Sequence, residues 1–296
     1  MKIIKKPSLR SPVLIAGFSG WPNAGEVSTG STAYLISKLE AEKFAEIEAE
    51  DYIDLTSVRP IIYIEDGIIK DIKAASNEFF YHVNSGGDRD IIIFQGAEPN
   101  SKWGTFADMF LKLAQEMGVT HIYTIGGLFD HVTHTMKPKV SAVVSDQSIM
   151  ETLVKYDIEA VNYIGPCSIH SVILWKANQL KIPSTSLWGH VPHYVQVKND
   201  DVCYAVLSRI CRLISLDMEF ADLVFAANNL RKRLNETVAK NPELSEYIKR
   251  IKEANMQKKA NTQQLLKELK EKKVIKLDDF MRQSRESGDG NGKDEK

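Results

Sequence analysis

Short apolar runs alternate with glycine-bearing loops and helical patterns along the first two thirds of the chain. The apolar runs predict strands at residues 12–18, 90–94, 121–125, 160–164 and 184–187. Apolar residues spaced three or four positions apart predict helices at about residues 26–39, 103–117, 141–155 and 168–180. The recurring order of strand, loop and helix is typical of an α/β fold, in which helices flank a mostly parallel central sheet.

Two further patterns depart from this repeat. Residues 43–48 alternate apolar and polar side chains and therefore predict a strand. Residues 61–64 and 68–74 flank Glu65-Asp66-Gly67. A short acidic turn that ends in glycine between two apolar runs predicts a β-hairpin.

The last third of the chain has a helical pattern throughout. Apolar residues recur at helical spacing over residues 200–239, and Asn241-Pro242 marks the start of another helix. These segments predict a C-terminal helical hairpin. We therefore divide the chain into an α/β core at residues 1–198, a helical extension at residues 199–276 and a disordered tail at residues 277–296.

Charge and cysteine content narrow the classes of function. The formal net charge is −1, whereas nucleic-acid-binding proteins usually carry a basic excess, so we expect no nucleic-acid partner. The cysteines Cys167, Cys203 and Cys211 form no CxxC pair, which favours a reducing compartment without structural disulfides. The apolar run at residues 13–18 is too short for a signal peptide, and no run is long enough to span a membrane. We expect a cytoplasmic protein with no membrane partner.

The loops that follow the predicted strands hold the chemically distinctive residues, and ligands of open α/β sheets bind at the carboxyl ends of strands. Trp188, His190, His193 and Tyr194 occur with a glycine and a proline in the segment Ser186–Tyr194, a mixture that a core strand does not need. This segment predicts a binding site or an interface. The candidate loops are residues 19–25, 95–103, 126–134, 165–170 and 188–194.

The first of these loops, Gly20–Gly25, lies between a predicted strand and a predicted helix. Its glycine spacing matches neither a dinucleotide-binding motif nor a P-loop, and Glu26 at the start of the helix would repel phosphate. We favour a tight turn in which Trp21 and Pro22 pack over the sheet, and an anion site is the alternative.

Two groups at predicted helix starts allow both a functional and a structural interpretation. Glu98 could act as an acid or base or hold a ribose hydroxyl, or it could be a carboxylate favoured by the dipole of the following helix. Ser168 beside His170 resembles a nucleophile and its base, but serine at a helix start is better explained as a cap.

Two histidine pairs, His131/His134 and His190/His193, raise the question of a metal. Four imidazoles can hold zinc. However, the HxxH spacing outside a helix does not place both rings on one face, and no cysteine or carboxylate pattern accompanies them. We expect no metal and no cofactor, and we expect these rings to hydrogen-bond loop carbonyls or to contact a ligand.

Several motifs in a fixed order resemble the proteasome assembly chaperone family, in the archaeal and bacterial branch related to the eukaryotic assembly chaperone 2. The resemblance covers about residues 10–235. It implies an α/β core like that of purine nucleoside phosphorylases and related hydrolases, a helical C-terminal part and homo-oligomerisation. It also implies docking through a C-terminal hydrophobic-Tyr-X tail, which Lys293-Asp294-Glu295-Lys296 does not match. The motifs are the Gly20–Gly25 loop, Val58-Arg59-Pro60, Gly96-Ala97-Glu98-Pro99 with Trp103, Gly126-Gly127 and Leu187–Tyr194.

Two functions follow as hypotheses. The one we favour is a non-enzymatic assembly or interaction protein that acts as a homo-oligomer with a proteasome-related or other protein partner. The alternative is an enzyme that binds a nucleoside-like or nucleotide-like molecule, such as a ligase or a phosphorylase-like or hydrolase-like enzyme. For either function, a pocket at the carboxyl ends of the strands is predicted from Gly20, Trp21, Asn23, Gly25, Glu98, Trp103, Gly126, Gly127, Trp188, His190, His193 and Tyr194.

In the enzyme hypothesis these pocket residues divide by role. Asn23 and Glu98 anchor the ligand through polar contacts. Trp103 and Trp188 form the walls, and His190 or His193 acts as the acid or base.

Overall fold

The computed structural model describes residues 1–271, so the predicted tail at residues 277–296 lies outside the described residues. The strands are β1 (Lys2–Ile3), β2 (Val13–Ser19), β3 (Glu42–Glu46), β4 (Ile61–Glu65), β5 (Ile68–Lys73), β6 (Glu78–His82), β7 (Ile91–Ala97), β8 (His121–Asp130), β9 (Val140–Val144), β10 (Glu159–Ala160) and β11 (Ser184–Pro192). The helices are α1 (Val27–Lys38), α2 (Trp103–Glu116), α3 (Gln147–Val154), α4 (Ile169–Gln179), α5 (Asp200–Ile214), α6 (Ala221–Ala239) and α7 (Pro242–Glu271).

Nine of these strands form one sheet, in the order β1-β3-β6-β7-β2-β8-β11-β9-β10. The four central strands β7, β2, β8 and β11 are parallel. On one side β6 runs antiparallel to β7, β3 to β6 and β1 to β3, and on the other side β9 runs antiparallel to β11. The sheet is therefore mixed around a parallel centre, and the predicted α/β fold is confirmed. β4 and β5 pair with each other at the predicted hairpin turn.

The central strands are buried on both faces, which explains why their sequences are continuous apolar runs. Val13 and Ile15 of β2 belong to one core, together with Val206 of α5. Leu14 and Phe18 of the same strand belong to the second core. Helices α1 and α5 cover the first face of the sheet, and α2 and α4 cover the second.

The described part of the chain divides into two units, and the boundary between them lies after Ser245. Helices α5 and α6 lie in the same unit as the sheet. Val202 and Ile210 of α5 are buried in the core that also holds the apolar side chains of β11. The three-part division of the sequence stays a prediction, and α5 is part of the layer that covers the sheet.

The helix predicted over residues 141–155 is wrong in its first third. The residues that form β9 are rich in valine, and they pair antiparallel with β11, a tertiary contact that outweighs the local helical spacing. Helix α3 begins only after Asp146, whose side chain accepts a hydrogen bond from Ser148 N at 2.8 Å and caps the helix. Of the strand predicted at residues 160–164, only Ala160 is in a strand, as the last residue of β10.

Two central strands are longer than predicted. The sequence placed the end of β8 at Gly126-Gly127 and the end of β11 at Leu187. Instead the two strands stay paired in parallel as far as Asp130 and Pro192, which lie opposite each other. Trp188 is consequently part of the sheet rather than of a loop.

Gly127 is the point at which the loop after β2 crosses over β8. The amide of Gly127 donates a hydrogen bond to the carbonyl oxygen of Pro22 at 2.8 Å, and Asn23 forms an isolated β-bridge with it. A Cβ atom on Gly127 would lie 2.2 Å from the carbonyl oxygen of Ala24. Because that neighbour is backbone, only glycine fits without displacing the loop.

We expect Gly127→Ala to lower the free energy of unfolding by about 1–3 kcal/mol, because the backbone of the crossing loop has to move. Gly104→Ala in α2 is the matched control. A Cβ atom there would meet nothing closer than Lys176 Nζ at 4.0 Å, and alanine favours a helix. Chemical denaturation of the two variants measures the difference, and equal stabilities would contradict the close approach.

Candidate functional site

The carboxyl ends of the four central strands meet at one edge of the sheet. β2 and β7 end together, with Ser19 opposite Ala97. β8 and β11 also end together. The loop at residues 20–26 leaves β2 here and crosses β8, so residues far apart in the sequence become neighbours at this edge.

A cleft of about 540 Å³ opens at this edge. The predicted pocket residues that line it are Gly20, Trp21, Asn23, Gly25, Gly127 and Trp188. Its other lining residues are Ala24, Glu26, Leu128, Phe129, Gln196 and Val197. The predicted residues that lie outside its lining are Glu98, Trp103, Gly126, His190, His193 and Tyr194. The structure thus separates the cleft from the predicted acid–base groups.

The walls of the cleft are aromatic and aliphatic. The rings of Trp21 and Trp188 meet edge to face, with 6.3 Å between their centroids. Trp188 lies against Gly126, where a Cβ atom would come within 2.6 Å of the indole. Trp21 is 60% exposed, and Val197 is exposed as well. The cleft therefore offers an apolar surface that is open to solvent.

Two amides in the cleft lining are held by the chain itself. Asn23 Oδ1 accepts a hydrogen bond from Thr29 N at 3.0 Å, and Asn23 Nδ2 donates to Thr29 Oγ1 at 2.9 Å. Gln196 Nε2 donates to the carbonyl oxygen of His193 at 2.8 Å. Gly20 has φ +100°, which the turn requires and which favours glycine. These hydrogen bonds fix the conformation of the two loops. The Gly20–Gly25 loop is better described as a tight turn than as an anion site.

Glu98 joins two loops through its carboxylate. Oε1 accepts a hydrogen bond from Ile169 N at 2.9 Å, at the start of α4, and Oε2 accepts one from Trp21 N at 3.2 Å. Burial raises the pKa of Glu98, and the two backbone hydrogen bonds oppose that shift. The predicted helix-dipole role is therefore correct in kind, but the helix it serves is α4 rather than α2.

Trp103 and Ser168 lie at the predicted starts of α2 and α4. Their side chains do not make the contacts that the sequence predicted. Trp103 Nε1 donates to the carbonyl oxygen of Pro99 at 2.5 Å, and the ring packs against the core beneath α2. Ser168 makes no side-chain cap bond, and its Oγ has no hydrogen-bond partner among the described residues. Glu98 supplies the cap of α4 in its place.

His170 lies in the core below the cleft. Its ring is 5.2 Å from that of Trp188 and 5.3 Å from that of Phe18, measured between centroids. Its Nδ1 is 3.3 Å from Ser186 Oγ. Burial lowers the pKa of His170 to about 3, so the ring is neutral and supports the aromatic wall above it.

His190 links three strands by hydrogen bonds. Its Nδ1 is 2.7 Å from Asp130 Oδ2 in β8, and its Nε2 is 2.7 Å from Ser141 Oγ in β9. Serine, histidine and aspartate are hydrogen-bonded here in the same sequence as in a Ser-His-Asp catalytic triad. However, Ser141 is only 1% exposed and does not line the cleft. The set fastens β8, β11 and β9 together. The sequence analysis missed it because Ser141 was assigned to a helix.

The other predicted histidines have separate neighbours. His134 Nδ1 is 2.7 Å from the hydroxyl of Tyr194, and its Nε2 is 3.0 Å from Asn235 Oδ1 in α6. The ring of His193 lies between those of Phe129 and His131, at 5.8 and 5.0 Å. Within residues 1–271 no three His, Cys, Asp or Glu side chains are placed to hold a metal ion.

Comparisons with known proteins agree with this architecture. The sequence profile of the PAC2 family matches residues 17–238. The chain belongs to the PAC2 family. This membership confirms the predicted resemblance to the proteasome assembly chaperones. A search of curated protein sequences found no match, and no helix within the described residues is long and apolar enough to cross a membrane.

The alignment with this chain covers nearly the whole length of the solved PAC2 structures. A PAC2 family protein from Streptomyces avermitilis is 30% identical, with TM-score 0.72 over 80% of this chain and 99% of its own. Rv2125, a proteasome-assembly chaperone homologue from Mycobacterium tuberculosis, is 29% identical, with TM-score 0.73 and the same coverage. The archaeal proteasome activator PbaB from Pyrococcus furiosus shares the fold at 21% identity, with TM-score 0.64 over 80% and 97%.

We expect Asp130→Asn to lower the free energy of unfolding by about 1–3 kcal/mol at neutral pH, because it removes the charged acceptor of a buried imidazole. The hydrogen bond from His190 lowers the pKa of Asp130 to about 2. Its contribution is therefore complete above the unfolded pKa of about 3.9 and is lost as the pH falls toward 2.

Denaturation at a series of pH values measures this effect. The stability difference between wild type and Asp130→Asn should shrink as the pH falls from about 4 to 2, since protonation of the aspartate removes the same charge. The exposed Asp88 provides the control, and Asp88→Asn should leave stability unchanged at neutral pH. A constant difference down to the lowest pH would contradict the assignment.

Glu98→Gln should lower stability by about 1–2 kcal/mol, because the amide keeps one acceptor oxygen and places a donor against the second backbone N–H. Hydrogen exchange at the amides of Trp21 and Ile169 should accelerate in the variant. Glu151→Gln, at an exposed position of α3, is the control. Unchanged exchange at both amides would show that Glu98 does not hold the two loops.

Proposed function

We propose that this chain is a non-enzymatic assembly or interaction protein that binds a proteasome-related protein partner, acting as a homo-oligomer in the cytoplasm. Membership in the PAC2 family supports this proposal. So does the similarity, at 29% identity, to Rv2125, which is described as a proteasome-assembly chaperone homologue. The fold shared with a proteasome activator adds to it.

The observation that carries the proposal is the character of the cleft. Its walls are Trp21, Trp188, Phe129 and Val197, and they open to solvent at the edge of the sheet. Exposed aromatic side chains beside a concave apolar surface are typical of the centre of a protein–protein interface. A partner that inserts an apolar side chain would bury these rings.

The acid–base groups near this edge support a structural role rather than catalysis. Both carboxylate oxygens of Glu98 accept backbone hydrogen bonds, and both ring nitrogens of His190 contact side chains of the same chain. A group that serves as a general acid or base has to reach the substrate proton directly or through one water molecule. Neither residue lines the cleft.

The alternative is the binding of a nucleoside-like or nucleotide-like molecule by an enzyme. The size of the cleft favours it, because ligand pockets usually range from about 300 to 1,000 Å³. In that case Trp21 and Trp188 would stack on the base, and Glu26 would be the carboxylate in the lining. A thermal-shift screen with nucleosides and nucleotides tests this alternative, since a bound ligand raises the melting temperature.

The experiment for the favoured function uses affinity-tagged full chain in a lysate of its own host, followed by crosslinking and mass spectrometry. We expect wild type to capture proteasome-related subunits. Trp21→Ala should capture at least about tenfold less, because central aromatic residues dominate binding energy. Trp175→Ala is the matched control, since Trp175 is 69% exposed on α4 and does not line the cleft. Failure of wild type to capture any proteasome-related protein would refute the proposal.

A further inference from the structure

The hairpin of β4 and β5 exposes an unusual amount of apolar surface. All of its strand residues are exposed. The two strands pair with each other and do not join the nine-stranded sheet. An isolated two-stranded hairpin is marginally stable at best in water, and three or more strands or a packed face are usually needed. The hairpin therefore has the properties of an element that is completed by a partner.

A β-bulge sorts the side chains of the hairpin onto two different faces. Ile62 lies opposite Ile72, but after the register shift Ile64 lies opposite Ile69, so Lys70 is the extra residue. Because cross-strand partners share a face and alternate residues along a strand do too, one face consists of four isoleucines. This isoleucine face is formed by Ile62, Ile64, Ile69 and Ile72.

The opposite face of the hairpin is mixed in composition. Ile61 lies opposite Lys73, Tyr63 opposite Asp71 and Glu65 opposite Ile68. Lys73 Nζ lies 5.0 Å from the centroid of the Tyr63 ring, which agrees with their shared face. The four isoleucines on the other side are between 46% and 60% exposed. The hairpin is thus amphipathic, and the side that a folded protein would normally bury is uncovered.

The charges of the hairpin are mixed, with Lys70 Nζ 4.0 Å from Glu65 Oε2 near the turn and Asp71 opposite Tyr63, but the acidic excess lies at the turn and the basic excess at the base. Its turn carries Glu65 and Asp66, while its base carries Arg59 and Lys73. An antiparallel arrangement of two such hairpins places the acidic turn of each copy near the basic base of the other. The isoleucine face itself carries no charge, so two copies of it meet without repulsion.

We propose that the isoleucine face is the contact through which this chain binds a second copy of itself, with the two hairpins antiparallel about a two-fold axis. The charges at the two ends are self-complementary, which suits an isologous interface. The inference rests on the homo-oligomeric state in the proposed function and names the surface that produces it. The isoleucine face does not include any residue of the cleft, to which the proposed function assigns a different partner.

Sedimentation of the full chain over a wide range of protein concentration tests this proposal. The variant Ile64→Glu/Ile69→Glu places four carboxylates in the centre of the contact. We expect the dissociation constant of self-association to rise by about tenfold or more, because unpaired charges would be buried. Because both side chains are exposed in the single chain, circular dichroism should show the fold intact.

The matched control is Ile61→Glu/Ile68→Glu on the mixed face. It introduces the same charges at positions that are 61% and 59% exposed, against 60% and 59% for Ile64 and Ile69. We expect its dissociation constant to stay within about twofold of wild type, since exposed charges away from a contact have little effect. Equal weakening by both variants would overturn the assignment of the face.

A charge exchange tests the antiparallel arrangement independently of the isoleucines. Glu65→Lys/Asp66→Lys brings two basic ends together and should weaken self-association, most clearly at low salt. Adding Arg59→Glu/Lys73→Glu reverses both ends and should restore it. Restoration is expected only when the two ends meet across copies, and its failure would overturn the antiparallel contact.

The remaining outcomes separate this inference from the proposed function. A wild type that is monomeric at every concentration overturns the inference and the homo-oligomeric state, but leaves capture of a proteasome-related partner to be judged by the Trp21 variant. An oligomer that Ile64→Glu/Ile69→Glu does not weaken overturns the inference alone. Loss of partner capture without loss of self-association in this variant would assign the hairpin to another protein and would also overturn it.

Discussion

The close approach of two backbone segments at Gly127 is the constraint on which the edge of the sheet depends. Adjacent residues of a strand point to opposite faces, so Gly126 and Gly127 serve different neighbours. Gly126 admits the indole of Trp188, and Gly127 admits the backbone of the loop after β2. Were either residue larger, the Trp188 ring or the crossing loop would be displaced. The positions of Trp188 and of the crossing loop, which both line the cleft, therefore depend on the absence of a side chain at Gly126 and Gly127.

Polar groups stabilise this arrangement by connecting its separate pieces. Glu98 holds the first loop to the start of α4. His190 connects Asp130 in β8 to Ser141 in β9. The bond from Trp21 N to Glu98 is exposed, but the bond from Ile169 N and both bonds of His190 are buried or half-buried. A lost partner at such a position leaves an unsatisfied group and costs more than an exposed hydrogen bond does. The titratable groups of this edge therefore hold loops and strands to one another.

Local patterns were sufficient to predict the centre of the fold but not its borders. Continuous apolar runs identified β2 and β7, because strands buried on both faces need no polar positions. The antiparallel strand β6 was missed although its partner β7 is the next strand along the chain. β9 was taken for a helix, since its partner β11 is distant in sequence. The same reason explains why Ser141 could not be assigned to His190. The first loop, being local, was correctly interpreted as a tight turn.

The predicted site divided for a physical reason that a one-dimensional analysis does not contain. A side chain in a loop at this edge can point either into the cleft or towards the rest of the protein, and the sequence does not show which of the two it does. Trp21 and Trp188 met at the cleft, whereas Trp103 packed beneath α2 and Glu98 turned to the amides of Trp21 and Ile169. Proximity to the carboxyl edge is thus a necessary condition for membership in the site, and the hydrogen bonds of each side chain decide the rest.

The two apolar surfaces of the chain differ in a way that suits two kinds of contact. The cleft is concave and aromatic, and it forms from segments that only the complete fold brings together. The isoleucine face belongs to a hairpin whose pairing is local in sequence and does not join the nine-stranded sheet. A contact of the second kind can form and separate without disturbing the first. The proposed function, in which self-association multiplies the binding sites for a partner, depends on this independence, because avidity arises only when both contacts are made at once.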